Sequence, residues 1–446
     1  MFLSWLLPFI RFDHDATPLV LLLFTMKLPL HVPTMHSLSA MTFLQLLLLL
    51  GSSHVVSSFT TFTSLPSLSP STTRQSIHII SRLLATQDET TATTSSSSAS
   101  TDDNLEDPLG FTLDPSKYTN LLTWIKAQPG AVLHPAIDIQ PSHLGGGYGV
   151  FCTQDIPQDT VLMEIPRSAC VTMENALDPN VNNGESAKAL QALMEKAGSG
   201  AETVAMAGFL ALQRIQSLEH AQNPDQVPPA PFGPYLDTLP WERGINNQEH
   251  VLFWSDDLVN ALLPGTMCYD EVVSLRSEVA LATNILNKIV GNTVRKWRNE
   301  YVPPRKNLFP WEILQAPASY DPTQPVQGLP EAVQGAFVAL LTRAFEDGDD
   351  DDTEKLVPVL DLLQHSEEPN IRHAQQTDTG AVRVTARMDL QMGQELFNQY
   401  RSELEESMPY HRFFSRFGFV PGIYKESMET LLKEESSIFF AQTAEV

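Results

Sequence analysis

The sequence predicts an α+β fold in which a region of short strands is interrupted by an all-helical insertion and then resumes. Three observations predict it. GGGYGVFCTQ and TVLMEIP read as short strands around a turn, before residue 170. From about residue 172 to 335 the apolar residues fall at helical spacing. After Arg343 strand-like runs return as LVPVLDLL, AVRVTAR and ELFNQY. A doubly wound sheet would alternate the two patterns, and this chain segregates them. At 446 residues with 42% hydrophobic content, two or three domains with real cores are within reach.

Residues 1–104 read as a targeting leader and a low-complexity linker, outside the fold. Met26-Lys27 precedes the apolar run Phe43–Leu50 and the small residues GSSHVVSSF, the order of a signal peptide. The run is shorter than the ~20 apolar residues that a membrane span needs. TTFTSLPSLSPSTTRQSIHIISRLLAT then supplies Ser, Thr and two arginines without an acid, the composition of a transit peptide. Joined at Phe59, the two resemble the two-part plastid leader of algae with secondary plastids. A plain secretory signal or a cytoplasmic protein is the alternative. Gln87–Asp103 is polar and has nothing to bury.

The fold is expected over 105–425. Tyr118, Leu121, Leu122 and Ile125 mark an amphipathic helix. The two strands after it suggest a β-hairpin, and LVPVLDLL a continuous strand. SAKALQALMEKAG, TVAMAGFLALQRIQSL and DEVVSLRSEVALATNILNKIVGNTVRKW supply the helices, separated by Pro-rich breaks. Pro234, Tyr235 and Trp241 in FGPYLDTLPW read as packing residues. The run Glu346–Glu354 is a solvated charged loop, since it lacks the ligand order of a calcium loop. ESMETLLKEESSIFFA suggests one short helix within 426–446.

The net charge is −25. Residues 1–87 hold two acids against four bases, which leaves 24 bases against 51 acids, or −27, beyond them. Such a surface repels phosphate backbones, which argues against a nucleic-acid partner; a basic protein surface or tail would be attracted. Cys152, Cys170 and Cys268 are too few and scattered for a disulfide framework or a Cys-rich zinc site. No metal is called for.

The chemistry concentrates in two stretches, LVPVLDLLQHSEEPN (Leu356–Asn370) and GQELFNQY (Gly393–Tyr400). An apolar run enters a polar His-Ser-x-x-Pro-Asn turn, and a second strand ends on a tyrosine. Upstream, Gly147-Tyr148-Gly149 is a turn where backbone N–H and C=O groups can meet a ligand closely. A phosphate loop would need a helix next, and a strand follows. Arg343 ends the helix AFVALLTRAF. Taken singly, the glycine turn reads equally as a hairpin turn, and the others read more readily as a helix-surface arginine, a structural histidine and a rim tyrosine.

In this order the motifs resemble the SET-domain protein methyltransferases with a helical insertion, a class that includes the Rubisco large-subunit lysine methyltransferases and the actin-histidine methyltransferases. The resemblance runs from about Lys117 to Gly422. It implies a SET-domain β-fold of short strands and S-adenosyl-L-methionine as cofactor. It implies that Gly147, Tyr148 and Gly149 hold its amino-acid end, with Arg343 on the carboxylate, and that Gln364-His365 hold the adenine. Tyr400 becomes the catalytic tyrosine. Pro369-Asn370 shapes the crossing of this segment. Three departures stand out. Gln364 replaces the family's Asn. Phe417 in the substrate channel stands where many relatives have Tyr, which leaves more room and suggests a higher degree of methylation. Only about 25 residues follow Val420, where relatives continue into a helical substrate-binding lobe. The implied activity is methylation of a lysine in a protein, such as a plastid protein like the Rubisco large subunit, by a monomer. A histidine acceptor and a non-catalytic SET-fold binding module remain as alternatives.

Overall fold

The computed structural model describes residues 114–144, 147–242, 250–301, 324–346, 354–400, 409–420 and 432–434. The leader, the acidic run over 347–353 and most of the C-terminal segment lie outside the described residues. Helix α1 (Pro115–Lys126) opens the fold because Asp114 caps it, its carboxylate accepting from Ser116 N–H at 3.0 Å. Pro115 sits at the first turn, where the missing N–H removes no helical bond. Tyr118, Leu121 and Ile125 are its buried face.

The strands are short. β1 (Val132–Leu133), β4 (Val161–Ile165), β9 (Val382–Ala386) and β8 (Ile371–Gln375) form a four-stranded sheet in the order β1-β4-β9-β8, with antiparallel pairs throughout. In β9 Val382, Val384 and Ala386 are buried and the residues between them less so, the period-2 pattern that fixes which face meets the core. β2 (Ile137–Pro141) pairs antiparallel with β3 (Tyr148–Cys152) in a separate two-stranded sheet.

That pairing corrects the expected β3–β4 hairpin. The segment between them is captured by the distant 386–390 chain instead: Ile156 and Leu390 exchange backbone bonds of 2.9 and 2.8 Å, and Asp159 N–H donates to Ala386 O at 3.0 Å. Ile156 is buried, and seating it there turns β4 away from β3.

Between β4 and β5 (Ala344–Glu346) the described chain is helical: α2 (Met173–Leu177), α3 (Gly184–Ala197), α4 (Glu202–Gln222), α5 (Gly233–Leu236), α6 (Asp256–Leu262), α7 (Tyr269–Ile289), α8 (Gly291–Trp297) and α9 (Leu329–Arg343). α4 and α9 bury residues on most of their circumference, as helices at the centre of a layer must. At Gly335 of α9 a Cβ would lie 2.8 Å from the Trp241 ring, so glycine is what lets this helix seat against the indole. Trp241 donates its N–H to Leu236 O at 2.6 Å, and it packs as expected.

α9 runs directly into β5 (Ala344–Glu346), which pairs antiparallel with β6 (Glu354–Leu356). The continuous strand expected over LVPVLDLL does not form. Pro358 cannot donate to a ladder, Val359 adopts φ +71°, and Leu360–Leu362 make a 3-10 turn. A β-branched residue in that region costs roughly 1–3 kcal/mol and persists only where its surroundings enforce it. Val359, Leu360, Leu362 and Leu363 are all buried, which supplies that enforcement. Strand β7 (Gln364–His365) follows and pairs in parallel with β10 (Phe397–Asn398); α10 (Tyr410–Phe417) closes the described fold.

Candidate active site

The parallel β7–β10 pair sets Gln364 opposite Phe397 and His365 opposite Asn398. Parallel neighbours need a crossover, and here the β8–β9 hairpin supplies it. Asn370 ties the crossing together: its Nδ2 donates to Glu395 O at 2.8 Å and its Oδ1 accepts from Phe397 N–H at 2.7 Å.

Tyr400 is fixed at both ends. Its backbone N–H donates to His365 Nδ1 at 3.1 Å, and its hydroxyl donates to Leu363 O at 2.9 Å. Because Nδ1 accepts, the neutral ring carries its proton on Nε2, which faces Glu367 Oε1 at 3.5 Å. His365 therefore positions the tyrosine and is not a base with a free nitrogen lone pair. Desolvation pushes the Tyr400 phenol well above its ordinary value, with Arg343 opposing, so the hydroxyl stays protonated at neutral pH.

Aromatic rings complete this side. Phe417 lies 5.3 Å from the Tyr400 ring, Phe413 lies 5.5 Å from His365 and 4.7 Å from Phe417, and Phe419 lies 6.4 Å from Tyr400. Phe413 and Phe417 are buried and Phe419 stands exposed at the rim.

The glycine turn borders β7 on its other side. Gln364 Nε2 donates to Tyr148 O at 3.1 Å, so the side chain that departs from the family pattern spans to the Gly-x-Gly strand. Gly149 has no room for a side chain, since a Cβ there would run into Glu395 Oε1. Glu395 is buried, and its other oxygen accepts from His143 N–H at 3.1 Å. Tyr148 stacks on Tyr118 of α1, with ring centroids 4.0 Å apart and planes 30° apart.

Arg343, at the end of α9, pairs with an acid. Its Nη1 lies 3.3 Å from Asp361 Oδ2, and the Tyr235 hydroxyl donates to the same oxygen at 2.9 Å. The Asp361 side chain is fully buried and that of Arg343 only 11% exposed. Burial alone would lower the guanidinium; the Asp361 charge, with Tyr118 and Tyr235 adding to it, reverses that and holds the arginine charged. Burial raises the Asp361 carboxyl against the pull of Arg343 and Tyr235, and raises the Tyr235 phenol as well.

The structure thus brings together Tyr148, Gly149, Arg343, Gln364, His365, Tyr400 and Phe417. Sequence reasoning missed Asp361, Tyr118, Glu395, Phe413 and the bond from Tyr235. Asp361 alone carried a local signal: a lone acid inside an apolar run.

Three buried polar atoms here have no partner among the described residues: Tyr148 Oη, Asp361 Oδ1 and Glu395 Oε1. Buried polar atoms ordinarily find partners. An obligate cation, acidic acceptors and a glycine-lined strand fit a zwitterionic amino-acid group. Among the described residues, no group of three or more His, Cys, Asp or Glu could hold a metal ion, and no helix is long and apolar enough to cross a membrane. Cys152 on β3 is no activated nucleophile, since burial pushes its thiol to about 11.

The SET-domain profile matches residues 147–401, more than half of the chain. This chain belongs to the SET-domain family. The chain is 23% identical over 289 residues to the N-lysine methyltransferase setd6 of Xenopus laevis, covering 63% of this chain and 53% of that protein. The chain therefore spans about half the length of the curated relative it matches. Among solved structures, the SET domain of LSMT bound to lysine and AdoHcy aligns at TM-score 0.45 and 14% identity, covering 68% of this chain and 57% of that one. Rubisco LSMT bound to AdoMet aligns at TM-score 0.44 and 17% identity, covering 69% and 57%.

Proposed function

We propose that this SET domain transfers a methyl group from S-adenosylmethionine to the side-chain amine of a lysine in a protein. The observation that carries the reading is the parallel β7–β10 crossing, beside which the Tyr400 hydroxyl is held on Leu363 O, with Phe417 against the Tyr400 ring and Phe413 against Phe417. Family membership adds the class of reaction, and the relative setd6 is named as an N-lysine methyltransferase. The reading takes residues 1–104 as leader, 105–425 as SET domain with its insertion about 172–335, and 426–446 as a short C-terminal segment. The leader's composition favours a plastid, and with it a plastid acceptor such as the Rubisco large subunit, acted on by a monomer.

S-adenosylmethionine, when bound, supplies a methyl group already activated by its sulfonium. Gly147, Tyr148 and Gly149 offer it backbone groups, Arg343 its remaining guanidinium donors, and Gln364 and His365 the adenine contacts. Tyr400 aligns the acceptor, a positional gain expressed as effective molarity. It cannot act as base, because its phenol is protonated. Presenting a neutral lysine at pH 7 costs roughly 4.6 kcal/mol, from an ordinary pKa of ~10.4. Phe413 and Phe417 disfavour the ammonium by excluding water, so the proton leaves to solvent as the amine enters.

The test uses the full chain. Calorimetric titration with S-adenosylmethionine should show binding, and its absence sinks the reading. With labelled donor and an algal plastid extract, Tyr400→Phe should bind the cofactor normally yet lose transfer by at least about a hundredfold, the scale of one lost active-site hydrogen bond. Binding without transfer by the wild type would make this a non-catalytic module, and label recovered on histidine would reassign the acceptor.

A further inference from the structure

The helix that walls the acceptor side, α10, faces the β-fold on one side and is tied to the helical insertion on the other. Its residues divide between two faces at helical spacing. Phe413 and Phe417, four apart, turn toward His365 and Tyr400. His411, Arg412 and Ser415 converge on a single carboxylate, Glu271, in the first turn of α7. Ser415 Oγ donates to Glu271 Oε2 at 2.8 Å. His411 Nε2 and Arg412 Nε stand 3.5 and 3.6 Å from Glu271 Oε1.

Packing reinforces the grip. Trp254 meets Phe414 edge-on at 5.8 Å. Val251, Leu262, Leu263, Cys268 and Val272 of the insertion form one buried cluster with Phe414, Val420 and Leu432. At the C-terminal end of α10, His250 Nε2 bonds Arg416 O at 3.1 Å. Acid in the first turn of α7 also suits the positive end of that helix, so Glu271 serves both helices.

We infer that Glu271 is a positioning residue for the acceptor: by fixing the rotation of α10 it sets how close Phe413 and Phe417 stand to Tyr400. The inference rests on the methyl-transfer reading for its consequence, but its structural part stands alone. Phe417 and Ser415 are two residues apart on one helix, so loosening the Ser415 end lets α10 turn and the channel wall move with it. A misplacement of about 1 Å at a reacting group can cost up to a hundredfold in rate. The cofactor contacts belong to other elements, and of these His365 meets α10 through the Phe413 ring.

The experiment compares full-length wild type, Glu271→Ala and Glu271→Gln. Glutamine keeps an acceptor for Ser415 and removes the charge that faces Arg412 and His411. Hydrogen exchange of the α10 amides should rise about tenfold or more in Glu271→Ala, the scale of a lost charged hydrogen bond, and less in Glu271→Gln. With free lysine as the acceptor probe, KM should rise about tenfold in Glu271→Ala while the calorimetric affinity for S-adenosylmethionine stays within about twofold. Unchanged α10 exchange in Glu271→Ala overturns the inference, and so does raised exchange with an unchanged KM. Loss of cofactor affinity in parallel with KM overturns it too, since that marks a general loosening. If the wild type binds no cofactor, the methyl-transfer reading fails, and the exchange data still decide whether Glu271 holds α10.

Discussion

The two walls of the candidate site are built by opposite physics. The cofactor side is polar and buried: Arg343, Asp361 and Tyr235 share one carboxylate oxygen, and Gln364 and Glu395 bracket the glycine strand. The acceptor side is aromatic: Tyr400 meets His365, Phe417 and Phe419, while Phe413 and Phe417 ride on α10, held by a partly exposed carboxylate and an apolar cluster. Directional bonds with buried charges tolerate almost no displacement, because a broken one strands a charge. Ring packing is non-directional and yields by fractions of an ångström. On the methyl-transfer reading proposed above, the difference is a division of labour: one wall would fix the methyl donor rigidly, and the other could change shape with the acceptor.

The sharpest way to break this contrast is Asp361→Ala. It leaves the Arg343 charge and the Tyr235 hydroxyl buried without their shared acceptor, and a cost of roughly 3–5 kcal/mol in unfolding free energy is expected. Denaturant unfolding measures it; a loss below about 1 kcal/mol would mean that the network matters little to the fold.

Next in size is a pH effect on the acceptor side. His250 is fully buried between the insertion and α10, and burial lowers its pKa to about 4 from an ordinary 6.5, against the pull of its backbone bonds. The folded protein therefore holds it neutral while the unfolded chain takes up a proton. Its contribution is present above about pH 6.5 and is lost as pH falls toward 4, by about 3 kcal/mol in all. Thermal unfolding across that window should show this slope in the wild type and not in His250→Asn. An equal slope in both would assign the effect elsewhere.

The smallest expected effect is also the most specific. Phe417→Tyr adds one hydroxyl to the acceptor wall and should change stability by less than about 1 kcal/mol. It should nonetheless shift the products from di- and trimethyllysine toward fewer methyl groups, read by product mass spectrometry. An unchanged distribution would show that this ring does not gauge the room at the acceptor.

The two walls were also unequally legible in the sequence. Gly147-Tyr148-Gly149, Arg343, Gln364-His365 and Tyr400 lie in short motifs whose order survives without any knowledge of contacts. The α+β class was legible for a similar reason, since strand-like and helical spacings are local. Asp361 was hidden inside a run read as a strand, because the turn at Val359 depends on the surrounding core and not on local propensity. The β3–β4 hairpin was misread because Ile156 pairs with Leu390, more than two hundred residues away. Phe413 and Glu271 carry no local signal; a phenylalanine and a glutamate on helices become functional candidates only once α10 is placed beside Tyr400.

The parallel β7–β10 pair has a consequence for how this protein comes to exist. Only two residues on each strand form it, and they cannot meet until the β8–β9 hairpin between them has been laid down. Its neighbour Tyr148 comes from a still more distant part of the chain, 216 residues from Gln364. Loop closure of that kind is slow, and contacts of high sequence separation are assembled late. A nascent chain can thus form its helices and its local β8–β9 hairpin early, whereas the β4–β9 pairing and the cleft both wait for distant segments to meet. Any ligand that fits the cleft would act as the last clasp of folding and stabilise the finished state by mass action.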